Sequence, residues 1–300
     1  MLLLDKPSGI TSNGALMRVK RLYNAQKAGH TGTLDPLASG LLPICFGVAT
    51  RFAQFLLDAP KRYVATVRFG TVTTTQDAEG EIVASQPVVI DIDRLRAALE
   101  RRVGAQMQLP PAHCALKRDG RPYYEYARAG IAIPRAPREI EIRALSLCGW
   151  KSPDAVIDVA CSKGTYVRAL AADLGDDLGC GAHLAALRRT ATGPFDIAAA
   201  VTLEELERSE EGIRMARLLP IDSPLAGMRR LEVDEVTARA LAHGQQPDVA
   251  AVPGRYAVHA PDGRFAGMAE VASGRLVALR LVDQREVERE DGSALLSSSA

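Results

Sequence analysis

The sequence predicts an α+β fold built on a mixed, largely antiparallel sheet, followed by a small β-barrel-like unit. Three observations carry this. Apolar spacings of period 2 and period 3.6 intermingle through the first part of the chain, without the regular strand–helix rhythm of a parallel α/β protein. Toward the C-terminus, short strand-like runs follow one another at tight turns. Between them, "LLPIDSPLAGMRRLEV" (218–233) sets two prolines and a glycine between helix-like patterns, which places a boundary near 225–230 and the first domain at 1–228.

The elements follow in chain order. "MLLL" runs at once into Asp5 and Lys6, far too short for a signal-peptide core and better read as a buried strand. "TSNGALMRVKRLYN" (11–24) puts Ala15, Leu16, Val19, Leu22 and Tyr23 on one helical face, with Thr11 or Ser12 as N-cap. "YVATVRF" (63–69) alternates, so Tyr63, Ala65, Val67 and Phe69 share one side of a strand. "DRLRAALERRVG" (93–104) reads as a helix from an aspartate cap to a glycine stop. "AVIDVAC" (155–161) is a strand, followed by the turn "SKG" and the amphipathic helix "TYVRALAADLGDDLG". Past the boundary come a helix at 234–243, ended by Gly244, and the strands "YAVHA", "FAGMAEV" and "LVALRLV" of a small barrel or meander at 229–290. The last ten residues, "DGSALLSSSA" (291–300), are expected to be a disordered tail.

Composition narrows the class. With 47% hydrophobic and 24% charged residues in a chain of 300, this is the make-up of a soluble globular protein with a large core. No apolar run approaches the ~18 residues of a membrane span. The net charge of +1 divides unevenly: residues 1–230 hold 30 Lys+Arg against 25 Asp+Glu (+5), and 231–300 hold 7 against 11 (−4). Cationic surface is therefore expected in the first part. Cys45, Cys114, Cys148, Cys161 and Cys180 are scattered without a C-x-x-C pair. That argues against a zinc site or a disulfide framework and for five buried small side chains in a reducing compartment.

One stretch resists reading as loop filler. "GHTGTLDPLASGLLP" (29–43) holds a single acid, Asp35, among Gly29, Gly32, Gly40, Pro36 and Pro43 before an apolar run. Asp35 could shape an Asx-turn ahead of Pro36, act as a carboxylate nucleophile, or belong to a phosphate-binding loop. The last fails, because no Gly-Lys-Ser/Thr follows. The phosphorylation motif of cation pumps fails too, because its acid precedes the threonine by two and Gly29 stands there.

"GHTGTLDPLASGLLPICFGVATR" resembles the active-site segment of the bacterial tRNA pseudouridine synthase B family, which isomerises uridine 55 in the T-arm of tRNA. "LLLDKPSGITS", "KRYVATVRFG", "ALKRDGRPYYEYARAGI" and "CSKGTYVRALAADLG...CGAHLAALRR" fall in that family's order and spacing, across roughly residues 1–190. The resemblance implies a pseudouridine synthase fold with a C-terminal RNA-binding domain of the PUA type, and an RNA-clamping flap at about 105–150. The reaction breaks the N1–C1′ bond, turns the uracil and rejoins it through C5. Nothing is oxidised and no water is consumed, so neither cofactor nor metal is expected.

By the same resemblance Asp35 is the catalytic carboxylate and Arg168 its cation, expected to hold it ionised through two hydrogen bonds against the upward push of burial. Tyr63 is the active-site tyrosine that stacks on the base, a candidate for the C5 proton step. Tyr166 and Leu187 line the pocket, with Leu187 excluding water. Asp77, in "TTTQDAEG", falls on an acid linked to substrate handling. That motif usually reads Thr-Asp-Thr, and Thr74 stands at its middle here. A stacked uridine must be swung out of its loop, and His30 matches the residue that fills the space left behind. Lys117, Arg118 and Arg121 of "KRDGRPYYEYAR" belong to the flap, whose residues 117–128 carry four cations against two acids with three tyrosines interleaved. That composition fits single-stranded or loop RNA. The expected partner is therefore tRNA, with no membrane and no obligatory protein partner, for a monomer in the cytoplasm. The alternatives are an RNA-folding chaperone that binds and flips without isomerisation as its main role, an RNA-guided relative that works with partner proteins, and a pure interaction module.

Overall fold

The computed structural model describes residues 1–283. The expected tail at 291–300, and the last residues of the expected 229–290 unit, lie outside the described residues.

The chain starts as β1 (Leu2–Lys6) and enters α1 (Ser12–Leu22) behind Thr11, whose hydroxyl accepts from the Gly14 N–H as N-cap. β2 (Ala28–His30) leads through the acid-bearing loop into β3 (Ser39–Phe46). A 3-10 turn over Gly47–Phe52 and α2 (Ala53–Asp58) return the chain to β4 (Lys61–Phe69), where Tyr63, Ala65, Val67 and Phe69 all point inward as the alternation predicts. The hairpin β5 (Thr71–Thr73) and β6 (Ile82–Ser85) follows. Then comes α3 (Ile92–Arg101), which is capped by Asp91 and not by Asp93. Gly104, read as a helix stop, instead opens β7 (Gly104–Gln108): the helix closes two residues earlier at Arg102, and the sheet takes Gly104 as partner of Ile142.

The flap region carries a short hairpin of β8 (Lys117–Arg118) and β9 (Arg121–Pro122), turned by Asp119 and Gly120 at positive φ, and then α4 (Tyr123–Arg128). Its expected ends at 105–108 and 138–150 are strands of the large sheet, so 109–137 is the part that leaves it. β10 (Arg138–Lys151) and β11 (Asp154–Cys161) form a long hairpin, and α5 (Val167–Leu178) ends on Gly179 in the left-handed conformation. β12 (Ala182–Thr192), β13 (Phe195–Asp196), β14 (Val201–Thr202), α6 (Leu203–Arg208) and α7 (Glu211–Met215) complete this part.

The large sheet runs β14-β1-β3-β12-β4-β11-β10-β7, with β2 beside β3 and β13 beside β12. Among the described residues only β1–β14 and β3–β12 of this sheet pair in parallel, so it is mixed and largely antiparallel. One face packs on α1, α3 and α5 through Leu16, Val19, Leu95, Leu99, Leu170 and Leu174. Each such side chain contributes about 1.5–3 kcal/mol when fully buried. Gly175 lets α5 seat closely, since a Cβ there would stand 2.1 Å from the backbone nitrogen of Ala182.

β15 (Arg229–Glu232), α8 (Glu235–Ala242), β16 (Gly254–His259), β17 (Phe265–Ala272) and β18 (Arg275–Leu281) make a separate four-stranded sheet in that strand order, the last three as an antiparallel meander. Phe265, Met268 and Val282 pack on Val48 and Phe52, and the Phe52 and Phe265 rings meet edge-on at 5.2 Å. All five cysteines are free. Four are buried as expected, whereas Cys148 is exposed on β10, a strand with one solvated side.

Candidate active site

The loop carrying Asp35 is fastened from three sides. The Ser12 hydroxyl donates to the Leu34 carbonyl at 2.9 Å and accepts from the Leu34 N–H at 2.7 Å. The Gly9 N–H donates to the Pro36 carbonyl at 2.8 Å, and the Ala38 N–H closes a turn onto the Asp35 carbonyl at 3.0 Å. Leu34 itself is buried in the main core. The backbone under the acid is thereby held while 36% of its side chain still meets water.

Arg168, on the first turn of α5, is buried where a helix arginine would ordinarily be solvated. Its Nε lies 3.0 Å from Asp35 Oδ2, and its Nη1 lies 3.5 Å from Asp77 Oδ2. Nη1 also donates to the Thr75 carbonyl at 3.1 Å, and Nη2 to the His113 carbonyl at 2.9 Å. The expected two-bond grip on Asp35 is thus a single contact, because the guanidinium serves two carboxylates and two carbonyls. Burial accordingly pushes the Asp35 carboxyl above the usual carboxylate range. Arg168 opposes the shift most, Asp77 adds to it, and Lys6 opposes it.

Asp77 is buried in the β5–β6 turn. Its carboxylate accepts from the Thr75 hydroxyl and from the Glu79 N–H, and its main chain bridges to Leu184 on β12. Thr74 points elsewhere, accepting from the Glu81 N–H at 3.1 Å. The Thr-for-Asp departure therefore leaves the acid that meets Arg168 in place.

Tyr63 stands on β4 with Leu187 beside it on β12, both on the core face of the sheet. Burial drives the Tyr63 hydroxyl's pKa upward, and the charge of Arg189, its register partner on β12, opposes that shift. His30 ends β2, half-buried, and burial together with the Arg189 charge lowers its pKa, so its imidazole is neutral at physiological pH. Tyr166 precedes α5. Its N–H donates to Gln108 Oε1 at 2.8 Å and its carbonyl accepts from Gln108 Nε2 at 3.1 Å, while burial, with Cys114 adding to it, raises its hydroxyl's pKa. Tyr166 and Arg168 thus both touch the base of the flap.

The flap cations sit apart from this cluster. Arg121 pairs with Glu125 at 3.0 Å and lies over the Tyr126 ring at 4.7 Å. Arg118 donates to the Pro134 carbonyl at 3.3 Å, and Lys117 is exposed beside it on β8. Arg168 joins Asp35 and Asp77 in one cluster, and Asp35's charge reaches the Tyr63 hydroxyl. Leu187 lies two residues before Arg189, Tyr63's partner on β12, and Lys117, Arg118 and Arg121 lie in the segment that leaves the sheet.

Several residues at the site carried no sequence signal of their own. Lys6 is fully buried and donates to the Pro7 and Ile10 carbonyls at 2.8 and 2.7 Å, with burial pushing its pKa down to about 8 and Asp35 opposing the shift. Arg189 is 1% exposed. Lys6, Gly40, Arg189 and Tyr63 are successive register partners across β1, β3, β12 and β4. Gly40 makes that row fit: its φ is +106°, and a Cβ would stand 2.2 Å from the Arg189 carbonyl oxygen. Only the pairing of Gly40 with Arg189, which strand order creates, could have revealed the row.

Residues 20–167 match the N-terminal domain of the TruB family of pseudouridylate synthases, and residues 168–226 match the tRNA pseudouridylate synthase B C-terminal domain. The chain is 52% identical over 291 residues to a tRNA pseudouridine synthase B of Burkholderia mallei, covering 94% of this chain and 96% of that protein. It is 53% identical over 283 residues to one of Thiobacillus denitrificans, covering 94% and 95%. Among solved structures, a chain of a Cbf5–Nop10–Gar1 complex aligns with a TM-score of 0.72 at 24% identity, over 94% of this chain and 83% of that one. A chain of an H/ACA ribonucleoprotein bound to a substrate RNA containing 2′-deoxyuridine aligns with the same TM-score at 22% identity, over 95% and 86%. At these identities the structural likeness is one of fold.

Proposed function

The chain belongs to the TruB family of pseudouridylate synthases, and from that membership we propose that it isomerises uridine 55 in the T-arm loop of tRNA, with Asp35 as the catalytic carboxylate. It is in that case an intramolecular transferase of the isomerase class, which needs neither an oxidant nor a phosphoryl donor. The observation that carries the assignment is the ion pair of a water-accessible Asp35 with a buried Arg168.

The chemistry follows from the geometry. A carboxylate must be ionised to act on the sugar or the base, and burial opposes this. Arg168 and Lys6 offset part of that opposition, and the single contact to Oδ2 leaves the other carboxylate oxygen for the nucleoside. Tyr63 offers a ring face to the everted uracil, and Leu187 closes the slot against water while the base turns. Neutral His30 fills the stack that the uridine vacates, replacing part of the few kcal/mol lost on flipping. Lys117, Arg118 and Arg121 meet phosphates of the T-arm as the flap closes. Residues 229–283 serve as an RNA-binding unit of the PUA type. The enzyme works as a cytoplasmic monomer, where its tRNA is.

The test is to incubate the purified protein with unmodified tRNA transcript, without cofactor, and to map pseudouridine. Wild type converts a single uridine in the T-arm loop, and Asp35→Asn binds the transcript but yields no product. Conversion at the parental rate by Asp35→Ala overturns the assignment. RNA-folding assistance without any product selects the chaperone reading instead.

A further inference from the structure

Among the described residues, Arg189 heads the fully buried side chains by size, and it makes no ion pair with a carboxylate. Its Nε donates to the Leu41 carbonyl at 2.6 Å and its Nη2 to the Gly32 carbonyl at 3.2 Å, and across the strands it is the register partner of Tyr63. Desolvating a guanidinium without an anion is costly, and a well-packed apolar side chain of similar volume would fill the same space at less cost. Its contacts join β12 to the loop that holds Asp35: Gly32 precedes the acid by three residues, and Tyr63 is the cross-strand neighbour of Arg189 on β4. The strand is irregular just past Arg189, where the register with β4 shifts between Arg189 and Ala191, a distortion that re-aims side chains next to functional sites.

We infer that Arg189 is a positioning residue of the isomerisation, tying the Tyr63 hydroxyl to the Asp35 loop and so fixing the two walls between which the uracil turns. The inference rests on reading Tyr63 as a wall of the pocket, and its experiment separates the two. Arg189 touches no substrate. It acts through Tyr63 on one side and the Gly32 carbonyl on the other. Its planar fork of donors suits this, since a lysine ammonium lacks the guanidinium's fixed, spread donor geometry. The guanidinium charge also reaches His30 and Lys6, which places it at the centre of the cluster.

The test is a double-mutant cycle with Arg189→Lys, Tyr63→Phe and both together, read as single-turnover isomerisation of unmodified tRNA, tRNA affinity and urea midpoint. Each single variant is expected to slow turnover by about 10- to 100-fold, the loss that a misplacement near 1 Å produces. Affinity stays at the parental value, so kcat falls and KM does not. The double variant is no slower than the slower single one, because both changes remove the same link. Losses that multiply in the double variant overturn the inference and leave Arg189 a structural residue, as does a parental rate for Arg189→Lys. A parental rate for Tyr63→Phe, which keeps the ring and loses only the hydroxyl, overturns the inference, whereas a parental rate for Tyr63→Ala overturns the reading of Tyr63 as a wall. Should Arg189→Lys fail to fold, Arg189→Gln, which keeps a donor at reduced reach, enters the same cycle with the same criteria.

Discussion

Replacing Arg168 with methionine removes the one cation shared by Asp35 and Asp77 while keeping an unbranched chain in its place. The side chains of Arg168 and Asp77 are 5% and 4% exposed, so water cannot take over the lost contact. Removing one partner from a buried pair costs about 3–5 kcal/mol, and we expect that loss near neutral pH. The cost should depend on pH. Arg168 opposes the rise of the Asp35 carboxyl more than any other group, so without it burial and Asp77 push that carboxyl still higher. A carboxyl whose folded pKa exceeds its unfolded value binds its proton more readily in the native state. Stability then rises as pH falls through the folded value, and the gain is complete below the unfolded value near 4. The slope is bounded by about 1.4 kcal/mol per pH unit for one proton. It is smaller here, because solvent screens the third of the Asp35 side chain that remains exposed. Urea unfolding of both proteins from about pH 8 to about pH 5, followed by far-ultraviolet circular dichroism, measures the difference. A destabilisation below about 1 kcal/mol at neutral pH, or one independent of pH across that range, refutes the shared-cation reasoning.

Two further outcomes are expected. Ser12→Ala orphans both the N–H and the carbonyl of buried Leu34 and should cost about 1–3 kcal/mol in urea unfolding, with slower isomerisation because the Asp35 loop loosens. An unchanged midpoint contradicts the role given to Ser12. Reversing Arg118 and Arg121 to glutamate should weaken tRNA binding and flatten the slope of log affinity against log salt by about 1.4–1.8, the share of two phosphate contacts. Urea unfolding should move by no more than about 1 kcal/mol, since the Arg121–Glu125 pair is at the surface. Unchanged affinity at physiological salt rules these cations out as tRNA contacts.

The local rules read much of this molecule correctly. Period-2 spacing placed Tyr63, Ala65, Val67 and Phe69 inward, because a strand alternates whatever its neighbours are. The helix at 12–22 followed from the same kind of local geometry, and of the two candidate caps, Thr11 and Ser12, the structure uses Thr11. Where two acids competed for one helix start, Asp91 prevailed over Asp93: the chain turns helical two residues earlier than the apolar pattern begins. The ends of the expected flap region, at 105–108 and 138–150, are strands of the large sheet, and it is the pairing of β7 with β10 that ties them into it.

Asp35 stood out in the sequence because an acid among turn-forming residues is a local feature, and five separated blocks of resemblance gave it a role. The sequence could not place Arg168 out of solvent, divide its guanidinium between Asp35 and Asp77, or set Arg189 under Tyr63. Those facts depend on strand order, which brings residues 6, 40, 189 and 63 into one row across four strands. An arginine is written alike whether it ends in water or in the core. Its environment is decided by residues from about fifty to more than a hundred and fifty positions away, and only the folded chain makes those residues neighbours.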